Sequence, residues 1–154
     1  MRFIALIVWF VTVLWGLYML AVWLIESDAT RRGSSASRLP LPVILAHVTF
    51  ALTGLGVWVI YLLLDRPALA WADVGVLGVI VTLGTAMFAR WIPVYRSPGA
   101  EVAALAAAQP VAAQPVAGTP PEGNFPLVVV VAHGLFATST VVLVLLTALG
   151  VGGS

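Results

Sequence analysis

Two histidines, His47 and His133, are the side chains of this sequence best suited to bind a metal, and both lie in long apolar segments. Neutral imidazole is a common ligand of iron, copper and zinc, and it is costly in hydrocarbon unless a partner satisfies it. Each histidine belongs to the same phrase, P-L-x-V-x-x-A-H-x-x-F-A, which starts at Pro40 and again at Pro126. The repetition predicts two imidazoles at equal depth in a membrane, where they share one ligand.

A second pattern, G-x-x-M-x-A-x-W, also occurs twice, at 16–23 and at 84–91. The two patterns alternate along the chain, so the sequence predicts two tandem copies of one helical hairpin. Within each copy the matched residues recur at helical spacing, which predicts that they face the interior of a bundle. These stripes are Gly16, Met19 and Trp23; Val43, His47 and Phe50; Gly84, Met87 and Trp91; and Val129, His133 and Phe136.

The composition is that of an integral membrane protein. Of 154 residues, 62% are hydrophobic and 8% are charged, and the mean hydropathy is +1.11. The absence of cysteine excludes thiolate-bound clusters, c-type haem attachment and disulfides. A net charge of +1 without a basic stripe gives no reason to expect nucleic acid as a partner. All acidic residues fall in predicted flanks or loops, which disfavours a proton-coupled transporter: Glu26, Asp28, Asp65, Asp73, Glu101 and Glu122.

Four apolar segments are long enough to span a bilayer, at about 20 residues each. They cover 3–25, 41–64, 74–94 and 125–149, so residues 1–154 are expected to form one all-α, four-transmembrane-helix bundle. Residues 65–73 form a short predicted loop. The Ala- and Pro-rich segment 97–124 is expected to be a flexible tether rather than a fifth span.

Arginines predict the orientation in a plasma or inner membrane. Five arginines flank the loops at 26–40 and 95–124, whereas only Arg2 and Arg66 lie on the opposite side. The positive-inside rule therefore predicts that both loops are cytoplasmic and both termini are outside. The five are Arg31, Arg32, Arg38, Arg90 and Arg96.

The first chemical hypothesis is one b-type haem with His47 and His133 as its axial ligands, because haem iron accepts imidazole on both faces. Arg90 and Arg38 are candidate partners for the propionates. Four further side chains are candidates for packing against the macrocycle: Phe50, Phe136, Met19 and Met87.

With its paired histidines the chain resembles small four-helix membrane b-type cytochromes, including the anchor subunits of quinone-linked dehydrogenases. The resemblance covers the four spans and rests on His47 and His133, whereas many such proteins carry four histidines and two haems. It implies electron transfer, alone or as a subunit of a quinone-linked oxidoreductase. It further implies a quinone, other membrane redox subunits or a second copy of the chain as partners within the bilayer.

Two alternatives to haem remain open at this point. Two imidazoles and the thioethers of Met19 and Met87 form an N2S2 set suited to copper(I). Alternatively, the chain is a structural accessory subunit without a cofactor, and each imidazole makes an ordinary interhelical hydrogen bond. Four hydroxyls are candidates for that bond: Thr49, Thr53, Thr138 and Ser139.

Aromatic residues near the span ends have two interpretations. The default is a belt of interfacial anchors, and the other is a quinone pocket formed by Trp91, Tyr95 and Arg90. The predicted anchors are Trp23, Trp71, Trp91 and Tyr95.

Overall fold

The computed structural model describes residues 1–30, 37–96 and 120–151, and these residues form four α-helices and one short 3₁₀ turn. All four α-helices are long and apolar enough to cross a membrane. The predicted all-α, four-span architecture is therefore confirmed. The helices are α1 (Arg2–Thr30), α2 (Leu41–Leu64), α3 (Pro67–Arg96) and α4 (Leu127–Ala148), and the 3₁₀ turn is Pro121–Asn124.

The bundle has two ends that are named here by their sequence features. The proline end contains Pro40 and Pro126, which directly precede α2 and α4. The turn end contains the start of α1, the end of α4 and the two-residue link between α2 and α3, where Arg2 pairs with Asp65. Around the bundle, α2 packs most extensively on α3 and α1 on α4, with smaller contacts between α1 and α2 and between α3 and α4.

Both prolines start their helices in the same way. The Pro40 carbonyl accepts hydrogen bonds from the amides of residues 43 and 44 at 3.0 and 3.2 Å. The Pro126 carbonyl accepts the corresponding bonds from residues 129 and 130 at 2.9 and 3.2 Å. Both prolines are N-cap residues with an extended backbone, with ψ values of 125° and 128°, as is usual for the residue just before a helix. The local sequence thus fixes where each histidine-bearing helix begins.

The predicted loop at 65–73 is wrong, because only Asp65 and Arg66 separate α2 from α3. Asp65 adopts the left-handed conformation, with φ of 50°, that ends many helices. Pro67 then opens α3, and the following Ala68–Ala70 segment favours helix. Asp73 consequently lies inside α3 rather than in a flank, and it is completely buried.

Two clusters of buried side chains hold the bundle together. The turn-end cluster draws on all four helices, and the proline-end cluster lies beneath the chain that enters α2. Large apolar side chains such as Phe3, Ile7 and Leu63 cover the outer surface, as lipid contact requires. The turn-end cluster consists of Ala5, Trp9, Trp58, Tyr61, Ala70, Leu77 and Val144, and the proline-end cluster of Trp23, Leu39 and Ile44.

Candidate functional site: a facing histidine pair

The structure brings the two imidazoles together in the interior of the bundle. His47 of α2 and His133 of α4 have ring centroids 6.4 Å apart, and their planes are inclined by 58°. Each histidine is the seventh residue of its helix, counted from the proline end. The two histidines therefore lie at equal depth in the bundle interior, because each is the same number of residues from the start of its helix.

Each imidazole is fixed by a backbone carbonyl of a neighbouring helix. Nδ1 of His47 lies 3.1 Å from the Ile80 carbonyl oxygen of α3, and Nδ1 of His133 lies 3.1 Å from the Thr12 carbonyl oxygen of α1. A carbonyl oxygen only accepts, so Nδ1 donates in both rings and Nε2 carries the lone pair. No hydrogen bond among the described residues uses either Nε2. Each ring thus presents one unused, electron-donating nitrogen.

Glycines make room for the two rings. A Cβ atom on Gly84 would lie 3.2 Å from Cε1 of His47, and a Cβ on Gly16 would lie 3.2 Å from Cε1 of His133. The distances to Nδ1 are also equal, at 3.7 Å. A larger residue at either position would force the ring to shift against its carbonyl anchor. The two glycines therefore allow the close approach of helix to imidazole.

The predicted hydroxyl partners of the histidines are wrong. Thr138 and Ser139 donate instead to carbonyls of their own helix at 2.9 Å, and Thr49 and Thr53 are exposed. The carbonyls of Ile80 and Thr12 could not be recognised from the sequence, because every residue type offers the same acceptor.

The other predicted site residues are spread around the pair. Phe50 is 39% exposed on the outer surface, whereas Phe136 and Met19 are half-buried. Met87 packs against the proline-end cluster. Arg38 and Arg90 are exposed at the proline end. Of the predicted haem-site residues, His47 and His133 are the two whose rings lie close together, with centroids 6.4 Å apart.

Two of the four predicted interfacial anchors are wrong. Trp71 and Tyr95 are exposed, but Trp23 and Trp91 are buried at 8% and 4% exposure. Their indoles donate hydrogen bonds at 3.0 Å to the Ser37 hydroxyl and to the Glu122 carbonyl, respectively. Both tryptophans therefore hold the segments that enter α2 and α4 instead of anchoring the bundle to headgroups. Trp91 also stacks on Tyr95, with ring centroids 4.9 Å apart.

A buried carboxylate joins the same two segments. Glu122 is completely buried in the 3₁₀ turn. Its Oε2 accepts from the Ser37 hydroxyl at 2.9 Å, and its Oε1 accepts from the Arg38 amide at 2.6 Å. The predicted flexible tether thus ends in a packed segment, and its residues 97–119 lie outside the described part of the chain. No periodic pattern in the sequence predicts this contact, because Glu122 lies in an irregular segment.

Comparisons of the chain with protein-family models, with curated proteins and with solved structures gave no match. The fold and the histidine pair are therefore the basis for inferring a function.

Proposed function

We propose that this chain is a membrane b-type haem protein in which His47 and His133 are the two axial ligands. The supporting observation is the disposition of the imidazoles. A metal ion held by both imidazoles would need their rings to be close neighbours, because a metal–nitrogen bond is only about 2.1 Å long. The rings of this chain lie 6.4 Å apart, with Nδ1 of each already engaged.

The anchoring of Nδ1 supports ligation by Nε2. Metal-bound histidines almost always donate the other ring N–H to a carbonyl, a carboxylate or water, which fixes the tautomer and orients the ring. His47 and His133 both have this arrangement before any ligand is considered. The same hydrogen bond would also satisfy a histidine whose only role is to join two helices. The assignment of a metal site therefore depends on the presence of the second imidazole nearby.

The small number of protein ligands favours haem over a bare ion. Zinc in proteins is usually four-coordinate. The described residues contain no group of three or more His, Cys, Asp or Glu side chains placed to hold a metal. Haem supplies four nitrogens of its own and requires only the two axial ligands. When bound, it would provide a one-electron redox centre within the bilayer.

Copper(I) is the weaker alternative. It would require Met19 and Met87 beside the imidazoles, but the Met87 side chain packs against Trp23, Leu39 and Ile44. That contact gives the thioether a structural role in the proline-end cluster.

We further infer that the chain consists of two tandem copies of a helical hairpin. The carbonyl anchors support this, because Thr12 and Ile80 are separated by the same 68 residues as Gly16 and Gly84. The equal glycine–imidazole distances point the same way. Duplication would explain how one ligand meets two equivalent imidazoles.

Electron transfer with a quinone or with another redox subunit is the function we assign to this centre. The exposed Arg38 and Arg90 at the proline end are the proposed partners of the haem propionates. The positive-inside rule puts that end in the cytoplasm. Because the chain has no cysteine, single cysteines at positions 34 and 68 test the orientation: an impermeant thiol reagent applied to intact cells should label only position 68.

Absorption spectroscopy of the detergent-purified protein tests the haem proposal. We expect a Soret band and the reduced spectrum of low-spin, bis-imidazole haem. His47→Ala and His133→Ala should each abolish the low-spin spectrum, whereas Thr49→Ala, an exposed change two residues from His47, should preserve it. Circular dichroism would confirm that all variants remain helical.

Three results would contradict this assignment. A low-spin spectrum that survives in both histidine variants would show that other residues bind the iron. Wild-type protein that is colourless after expression with sufficient haem would favour the accessory-subunit role, and copper without iron in elemental analysis would favour the copper site.

A further inference from the structure

Asp73 is a completely buried carboxyl group inside a membrane-spanning helix. Its exposed fraction is 0%, and neither carboxyl oxygen has a hydrogen-bond partner among the described residues. Asp73 lies on the same face of α3 as Ala70 and Leu77, which are three residues before it and four after it in the turn-end cluster. The carboxyl group therefore sits on an apolar, protein-facing surface.

No described charged group compensates Asp73. On α1, Arg2 pairs with Asp65 at the surface of the turn end, and Arg66 in the link is exposed. Tyr61 of α2 belongs to the turn-end cluster but makes no hydrogen bond to Asp73. The described part of α4 at this end of the bundle contains no titratable side chain. An ionised Asp73 would thus be an unpaired charge in a low-dielectric interior, which is strongly unfavourable.

Glu122 is a second fully buried acid in this chain, and it differs from Asp73 in its hydrogen bonding. It is equally buried, yet both of its oxygens accept hydrogen bonds, from Ser37 and from the Arg38 amide. The two fully buried acids therefore differ in their hydrogen bonding: both oxygens of Glu122 have partners, whereas the oxygens of Asp73 have none among the described residues.

On the proposed hairpin repeat, the counterpart of Asp73 is not a polar residue. At the spacing of 68 residues that relates Gly16 to Gly84, the residue that corresponds to Asp73 is Ala5, which is also 0% exposed. A methyl group is thus sufficient to fill the corresponding place in the bundle. The carboxyl group adds a polar function that the fold itself does not use.

We propose that Asp73 is a proton-binding site: a neutral carboxylic acid that exchanges its proton with the turn end of the bundle. Six residues separate it from the start of α3, which is about 9 Å along the helix axis. The proline end of α3 lies more than three times farther away. Asp73 is therefore placed to take up and release protons on the side of the membrane that the turn end faces.

A proton fits this site better than a metal ion does. Calcium and magnesium bind to sets of about six or more oxygen ligands. Asp73 belongs to no group of potential metal-binding side chains in the described residues. Protonation needs only the carboxyl group itself. This proposal does not depend on a cofactor at the histidine pair.

Infrared spectroscopy of the full chain in detergent at pH 7 tests the proposal. We expect the carbonyl stretch of a protonated carboxylic acid, shifted to lower frequency in deuterated buffer. Asp73→Asn and Asp73→Ala should both remove this band. Glu122→Gln, which alters a buried but hydrogen-bonded acid, and Asp65→Asn, which alters an exposed one, should leave it unchanged.

Three outcomes would overturn the assignment. A wild-type spectrum without the band would show that Asp73 is ionised and has a partner such as a cation. A band that persists in both Asp73 variants would belong to another acid. A band that does not shift in deuterated buffer would show that the proton is not exchanged. Absence of the band from the wild-type spectrum overturns the proposal even where a variant does not fold.

Discussion

At the scale of single residues, the histidine pair depends on what holds each ring in place. The carbonyls of Ile80 and Thr12 fix the direction of the imidazoles, and Gly84 and Gly16 set how closely a helix can approach them. Orientation of this kind reduces the entropy lost when a ligand binds between the rings. The backbone of α1 and α3 is therefore as important to the site as the two histidines.

Gly84→Ala tests the role of this close approach. The new Cβ would lie 3.2 Å from Cε1 of His47, so the ring must move by a few tenths of an ångström against its bond to Ile80. We expect the free energy of unfolding to fall by about 1 kcal/mol or more relative to a Gly→Ala change at a position with open space. Any ligand held by His47 should also bind more weakly.

The control for this change is Gly78→Ala on the same helix, where the Cβ would meet nothing within 4 Å. Thermal unfolding in detergent, followed by circular dichroism, measures the difference. Equal unfolding temperatures for the two variants would show that the His47 ring shifts without a loss of stability.

At the scale of elements, a small residue decides how closely α1 and α2 pack. Gly54 of α2 is buried beside the indole of Trp9, and a Cβ there would lie 2.8 Å from Cζ2 of that ring and 3.1 Å from Val76. Such small residues allow close helix contacts in membranes, where packing replaces the hydrophobic effect. The α1–α2 contact thus depends on the absence of a side chain at one position.

Gly54→Ala should separate α1 from α2 and destabilise the bundle by about 1–3 kcal/mol, because Trp9 is buried on all sides and cannot turn away freely. Gly56→Ala, two residues along the same helix, has open space for its Cβ and should be neutral or stabilising. Thermal unfolding of both variants in one detergent provides the comparison. A Gly54→Ala protein as stable as Gly56→Ala would contradict the packing argument.

Helix boundaries were the least predictable property of the elements. Apolar runs located α2 to the residue, because Pro40 and Asp65 limit it on both sides. The start of α3 was missed, since its first two turns contain Asp73 and are less apolar than its centre. Hydropathy detects contact with lipid, whereas a helix continues through any sequence that maintains its backbone hydrogen bonds, even where it contains a buried polar residue such as Asp73.

At the scale of the whole molecule, Glu122 connects parts of the chain that are far apart in sequence. It joins the 3₁₀ turn before α4 to the segment before α2, where Leu39 is buried. The segments entering both histidine-bearing helices are thereby held together at the proline end. The relative position of α2 and α4, and with it the separation of the imidazoles, is stabilised by this contact.

Glu122→Ala should destabilise the protein by roughly 1–3 kcal/mol, because the Ser37 hydroxyl and the Arg38 amide lose their acceptor. Trypsin should then cleave after Arg38 more rapidly, since that segment is no longer held. Mass spectrometry of the fragments identifies the cleavage site. Asn124→Ala, an exposed change in the same 3₁₀ turn, is the control and should leave the cleavage rate unchanged.

The sequence by itself determined the membrane-spanning class, the number of helices and the equal depth of His47 and His133. These properties follow from hydropathy, proline positions and helical periodicity, which are local. Only the tertiary structure decided which carbonyls anchor the rings, that Trp23 and Trp91 are buried, and that Asp73 faces the interior without a partner. Those contacts join residues that are distant in the chain. Residue type alone does not reveal which backbone carbonyl will accept a hydrogen bond or whether a particular side chain will be buried.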